Sequence, residues 1–126
     1  MPALNRVQLI GNLGKDPEVR FTTTGKKVCQ FSIAVNRRWK VGSEVKEVTD
    51  WFNIEAWGRI GEVCMEFLHK GSLVYIEGRL RTSRYEHDGE TRYFTKVIVQ
   101  NMQMLDHKVE EELPVEPDVE EDVLNE

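Results

Sequence analysis

Residues 47–71, EVTDWFNIEAWGRIGEVCMEFLHKG, place a strand and a helix back to back, and the change of apolar period between them sets the fold. Up to Trp57 the period is two. Phe52, Ile54 and Ala56 share a core face, while Trp51, Asn53, Glu55 and Trp57 share a face turned to solvent. From Ile60 the period becomes helical, with Ile60, Val63, Cys64, Phe67 and Leu68 on one apolar stripe. His69 and Lys70 stand where a helix dipole favours cations, and Gly71 is placed to end the helix in the left-handed conformation.

On either side of this stretch the pattern is that of strands. Residues 6–12 (RVQLIGN) predict a first strand, stopped by Gly14 and Asp16-Pro17. Residues 27–38 predict a second, with Cys29, Phe31, Ile33 and Val35 inward and Gln30, Ser32, Asn36 and Arg38 outward. Thr22–Lys27 is a turn whose spacing does not match a phosphate-binding loop, and residues 40–46 (KVGSEVK) read as a polar loop. After the helix, residues 72–85 form a strand with Val74, Ile76 and Leu80 inward and Glu77, Arg79, Arg81, Ser83 and Tyr85 outward. Asp88-Gly89 is a strong hairpin signal, from which residues 91–100 return as the last long strand and 101–105 continue it. Three strands, a helix and two strands is the element order of an all-β, five-stranded OB-fold barrel with its helix between strands 3 and 4.

The net charge of −5 hides two regions of opposite sign. Nine of the 22 acids lie in residues 110–126, so the first 109 residues hold 17 Lys and Arg against 13 acids, a net of +4. The expected organisation is therefore a mildly basic domain, residues 1–108, and an acidic disordered tail, residues 109–126, in which Pro114 and Pro117 break any helix. A basic domain suits phosphate; a merely solvated surface fits the same numbers.

Cys29 and Cys64 belong to no CxxC or Cys/His cluster and fall on apolar faces, which predicts buried reduced thiols. No apolar run approaches the length of a membrane span, and the N-terminus lacks the pattern of a secretory signal, so an intracellular, cytoplasmic protein is expected. His69, His87 and His107 have no metal-ligand partners at usable spacing, and no metal or cofactor is expected. Neither GxSxG nor a coherent carboxylate pair is present. Asp50 and Glu55 fall on opposite faces of their strand, and no enzymatic activity is expected.

Two tryptophans on a solvent-facing strand surface need a reason, because burying an indole is strongly favourable. Trp39 follows Arg37-Arg38 and precedes Lys40, and Tyr85 follows Arg84. Rings interleaved with basic groups suit unpaired nucleic-acid strands, whose bases stack on the rings while cations track the phosphates. An oligomer interface could claim one ring, and Trp57 beside Gly58 is the first candidate. An RNA-directed OB module and a primosome-like adaptor that binds mainly protein use similar surfaces.

Longer segments add a resemblance. NRVQLIGNLGKDPEVRF (5–21), TDWFNIEAWGRIGEV (49–63), KGSLVYIEGRLRT (70–82) and NMQML (101–105) resemble, in order, the motifs of bacterial single-stranded DNA-binding proteins, over about residues 4–105. The resemblance implies a homotetramer, nucleoid-associated, that binds single-stranded DNA during replication, repair and recombination. Four family stacking positions align with Trp39, Trp51, Trp57 and Tyr85, the third being often Phe and the fourth often Trp. Family phosphate contacts align with Arg20, Arg59, Lys70, Arg81 and Arg84. Phe52 stands where the family frequently has an interface His. In the family a long linker ends in an acidic tip closing with Pro-Phe, which docks replication and repair proteins. Here the linker is almost absent and the chain closes EEDVLNE (120–126), with Val123-Leu124 a weak apolar substitute. A divergent member and a shortened chain fit this ending equally well. The tail is expected to compete with DNA for the basic groove.

Overall fold

Strand β1 (Val7–Leu13) is shared by two neighbours, and that sharing closes the fold. The computed structural model describes residues 1–106 and contains five more strands: β2 (Glu18–Phe21), β3 (Lys27–Val41), β4 (Glu44–Trp57), β5 (Leu73–His87) and β6 (Glu90–Met104). One helix, α1 (Gly58–Phe67), lies between β4 and β5. Along its length β1 pairs antiparallel with β5, and at its end Asn12 and Leu13 pair with Ala34 and Ile33 of β3. β3 pairs with β4, β4 runs parallel to β6 at Ile54–Val97, and β6 returns to β5. The ring β1-β3-β4-β6-β5 is a closed five-stranded OB barrel with the helix at the expected place.

Inward residues of all five barrel strands fill it. Ile33, Ile54, Val74, Ile76 and Val97 are almost wholly buried, with Cys64 of α1 covering one end. Phe52 packs half-buried against the same cluster. Closure brings backbones into direct contact at a register irregularity between Glu77 and Gly78, where a Cβ on Gly78 would lie 2.0 Å from the Ile98 carbonyl oxygen.

Five details differ from the sequence expectation. β2 is an additional short strand of four exposed residues, held on β3 by pairs such as Val19–Cys29. The polar loop at 40–46 is a hairpin tip, because pairing runs on to Val41–Glu44 and exposed strands satisfy their backbone in each other. Leu80 is 42% exposed, within the exposed run Arg79–Thr82 of β5. The helix stops at Phe67, itself exposed. Leu68 is extended, and Gly71 takes its positive φ in the next turn, so His69 and Lys70 lie beyond the helix. Finally, Glu55 is buried, as described below. The Asp88-Gly89 turn forms as expected, with positive φ at both residues. The expected acidic tail, 109–126, lies outside the described residues.

Candidate nucleic-acid interface

On the outer face of the β3–β4 pair, one small side chain stands opposite a large ring. Trp51 pairs with Ala34, and its indole lies over Gly14, where an added Cβ would come within 2.6 Å of the ring. The ring is supported from below and remains 59% exposed. Six residues on, Trp57 is half-buried, and its Nε1–H donates to Glu55 Oε1 at 2.8 Å. Its edge is fixed.

Between these rings runs a groove with two lobes. The first, about 470 Å3, is lined by Gly14, Lys15, Arg20, Trp51, Asn53 and Phe94. The second, about 300 Å3, is lined by Arg20, Phe21, Trp57, Arg81 and Ser83. They share Arg20, Gln30, Glu55 and Lys96, so they lie side by side on the barrel face.

The floor is ionic. Glu55, 3% exposed, accepts from Lys96 Nζ at 2.7 Å and Gln30 Nε2 at 3.2 Å as well as from Trp57. Burial alone would raise its carboxyl above the ordinary carboxylate range. The hydrogen bonds from Lys96, Trp57 and Gln30, with the Lys96 charge, outweigh burial and hold it below that range. A depressed folded-state value stabilises the fold above the unfolded carboxyl value of about 4.3, and that contribution is lost as pH falls through the folded value. Urea midpoints are therefore expected to fall more steeply below about pH 4.3 for the wild type than for Glu55→Gln, with the two curves converging in acid.

The structure brings together Trp51, Trp57, Arg20 and Arg81. Tyr85 continues the same face onto the β5–β6 hairpin, where cross-strand pairs set Arg81 beside Lys96, Ser83 beside Phe94 and Tyr85 beside Arg92. Trp39, by strand alternation, belongs to the opposite face of the β3–β4 ribbon, paired with Lys46 and with the Arg37 guanidinium 5.6 Å from its ring centre. Arg37 is in turn held by Asp50 at 2.8 Å. Lys70 sits at the Trp51 end, its backbone N–H donating to Asp16, a groove residue, at 2.8 Å. Arg59 is on α1, paired with Glu62 at 3.6 Å, and lines neither lobe. Arg84 lies on the hairpin face away from Tyr85, opposite Tyr93.

Lys15, Phe21, Phe94 and Lys96 line the groove without having been singled out from sequence. For Phe94 and Lys96 a signal existed: counting back from the two-residue Asp88-Gly89 turn pairs 83 with 94 and 81 with 96. Among the described residues, no group of three or more His, Cys, Asp or Glu could hold a metal ion, and no helix is long and apolar enough to cross a membrane.

A closed OB barrel with aromatic rings and guanidinium groups along one groove defines a nucleic-acid-binding class of protein. Residues 4–105 match the model of the single-strand binding protein family, and the chain belongs to that family. It is 43% identical over 108 residues to single-stranded DNA-binding protein 1 of Chlorobaculum tepidum, covering 83% of this chain and 67% of that one. It is 42% identical over 105 residues to the single-stranded DNA-binding protein of Treponema pallidum, covering 83% of this chain and 60% of that one. The chain thus spans only part of the length of these relatives. Its fold is similar to that of the Plasmodium falciparum SSB complex with ssDNA, with a TM-score of 0.77 and 30% identity over 84% of this chain and 98% of that one.

Proposed function

We propose that the protein binds single-stranded DNA without sequence preference and without chemical change, and shields exposed strands during replication, repair and recombination. The observation that carries this reading is the groove between Trp51 and Trp57, with Arg20 and Arg81 along it. Two supported but accessible rings offer π-faces to any base, and the guanidinium groups neutralise phosphates. Tyr85 extends the stacking along the β5–β6 hairpin and Lys70 adds positive charge at the Trp51 end, while Trp39, Arg59 and Arg84, which lie off the groove, meet the strand where it leaves the groove. The protein works as a homotetramer in the cytoplasm; Ile10, 54% exposed on the outer face of β1, supports self-association. Docking of replication or repair proteins through the acidic tail belongs to the same proposal.

The test is intrinsic tryptophan fluorescence during titration with oligo(dT), oligo(U) and duplex DNA at low and high salt. Quenching by oligo(dT), weakening with salt, is expected. Stronger quenching by oligo(U) than by oligo(dT) would make RNA the ligand, and none by any nucleic acid would make the rings a protein-binding surface. Trp51→Ala is expected to cost about 1–3 kcal/mol of affinity with little loss of stability. Phe52→Ala, altered on the core side of the same strand, is expected to lower the urea midpoint instead.

A further inference from the structure

The parallel ladder between β4 and β6 pairs Ile54 with Val97 and Glu55 with Ile98. Three residues before its first pair, each strand carries an aromatic ring: Trp51 on β4 and Phe94 on β6. Ile54 and Val97 point into the core, and an odd offset turns both rings to the outer face. Both line the first lobe of the groove, so they share one space. Phe94 is 43% exposed, and its cross-strand partner is Ser83, a side chain too small to cover it. On the same face of the hairpin, the Arg81–Lys96 pair lies on the barrel side of Phe94 and the Tyr85–Arg92 pair on the tip side.

The charges of the two lobes suit different parts of a nucleotide. The first is lined by three cations, Lys15, Arg20 and Lys96, and three carboxylates, Asp16, Glu18 and Glu55. Lys96 is held by Glu55 at 2.7 Å, and Arg20 stands 3.8 Å from Glu18. A space of zero net charge beside two rings favours a neutral base over a phosphate. The second lobe has Arg81 beside Arg20 and Lys96, against Glu55 alone, a net of +2. That balance favours phosphate.

We propose that Phe94 is a further stacking ring, and that it and Trp51 hold one and the same base in the first lobe while the second takes phosphate. The inference rests on the groove being a single-strand site, as proposed above. A base held by two rings is anchored on the barrel before the strand reaches Tyr85. Removing either ring then weakens the hold of the other.

The experiment titrates labelled oligo(dT) with the full chain and follows anisotropy at several salt concentrations. Phe94→Leu keeps the apolar bulk and removes the π-face. It is expected to weaken binding about five-fold or more, with the wild-type salt slope and urea midpoint. Arg81→Gln should instead flatten the salt slope by about 0.7. Phe94→Trp should restore tight binding, and oligo(dT) should quench the added indole, which decides the point even if the leucine variant does not fold. With one base shared, Trp51→Ala/Phe94→Leu should lose less than the product of the two single losses. A loss equal to that product would overturn the shared base. A folded Phe94→Leu that binds as tightly as the wild type, or an unquenched indole at position 94, would overturn the role of Phe94 and leave the proposed function standing. A wild type that does not bind oligo(dT) would overturn both.

Discussion

Lys96→Met is expected to destabilise the barrel by about 3 kcal/mol, the low end of the range for breaking a buried ion pair because Lys96 keeps 21% of its side chain in water. The substitution preserves the aliphatic stem and removes only the ammonium. What it leaves behind is Glu55, a carboxylate with 3% exposure and only the Trp57 and Gln30 donors. The cost is that of an unpaired buried charge, so removing the charge on the other side should relieve it. The double variant Glu55→Gln/Lys96→Met is expected to recover most of the loss. Urea midpoints of the wild type, both single variants and the double variant close the cycle. A double variant as unstable as the sum of the singles would show that the pair is uncoupled.

Gly78→Val should be worse, costing more than about 4 kcal/mol. Ordinary overpacking costs about 1–3 kcal/mol because side chains move aside. Here the obstacle is backbone: the new Cβ would meet the Ile98 carbonyl oxygen at 2.0 Å and the Val99 Cα at 3.2 Å. Relief requires pulling β6 away from β5 where the ring closes. Gly42→Ala is the control. It lies at a hairpin tip with φ +65° and nothing within 4 Å of an added Cβ, so only local strain of about 1 kcal/mol is expected. Midpoints that matched for the two variants would remove the close approach from the account.

The barrel was legible because its inward strand faces alternate and its helix changes period, as Phe52-Ile54-Ala56 and Ile60-Cys64 show. Glu55 was not legible. Alternation assigns it correctly to the outer face of β4, but the returning β6 brings Lys96 over it from 41 residues away, and nothing local encodes that cover. β2 was missed because all four of its residues are exposed, so pairing with β3 leaves no apolar trace. The same physics hid the hairpin at 40–46. Of the candidate site, Trp51 and Trp57 follow from one strand's parity. The register of the second hairpin, which decides that Arg81 faces the groove and Arg84 does not, had to be counted from the Asp88-Gly89 turn.

The two long hairpins divide the aromatic rings into mechanical classes. From Asn36 to Thr49 every residue is exposed, and from Arg79 to Thr95 all but Ser83 are. These are two-stranded ribbons projecting roughly 20–30 Å past the barrel, with no core to stiffen them. Trp51 and Trp57 are bolted to the barrel wall; Trp39 and Tyr85 ride on springs. On the proposed reading, the groove fixes where a strand enters, and the springs follow it wherever it turns next. The protein's tolerance then extends to the curvature of its ligand as well as to its base sequence.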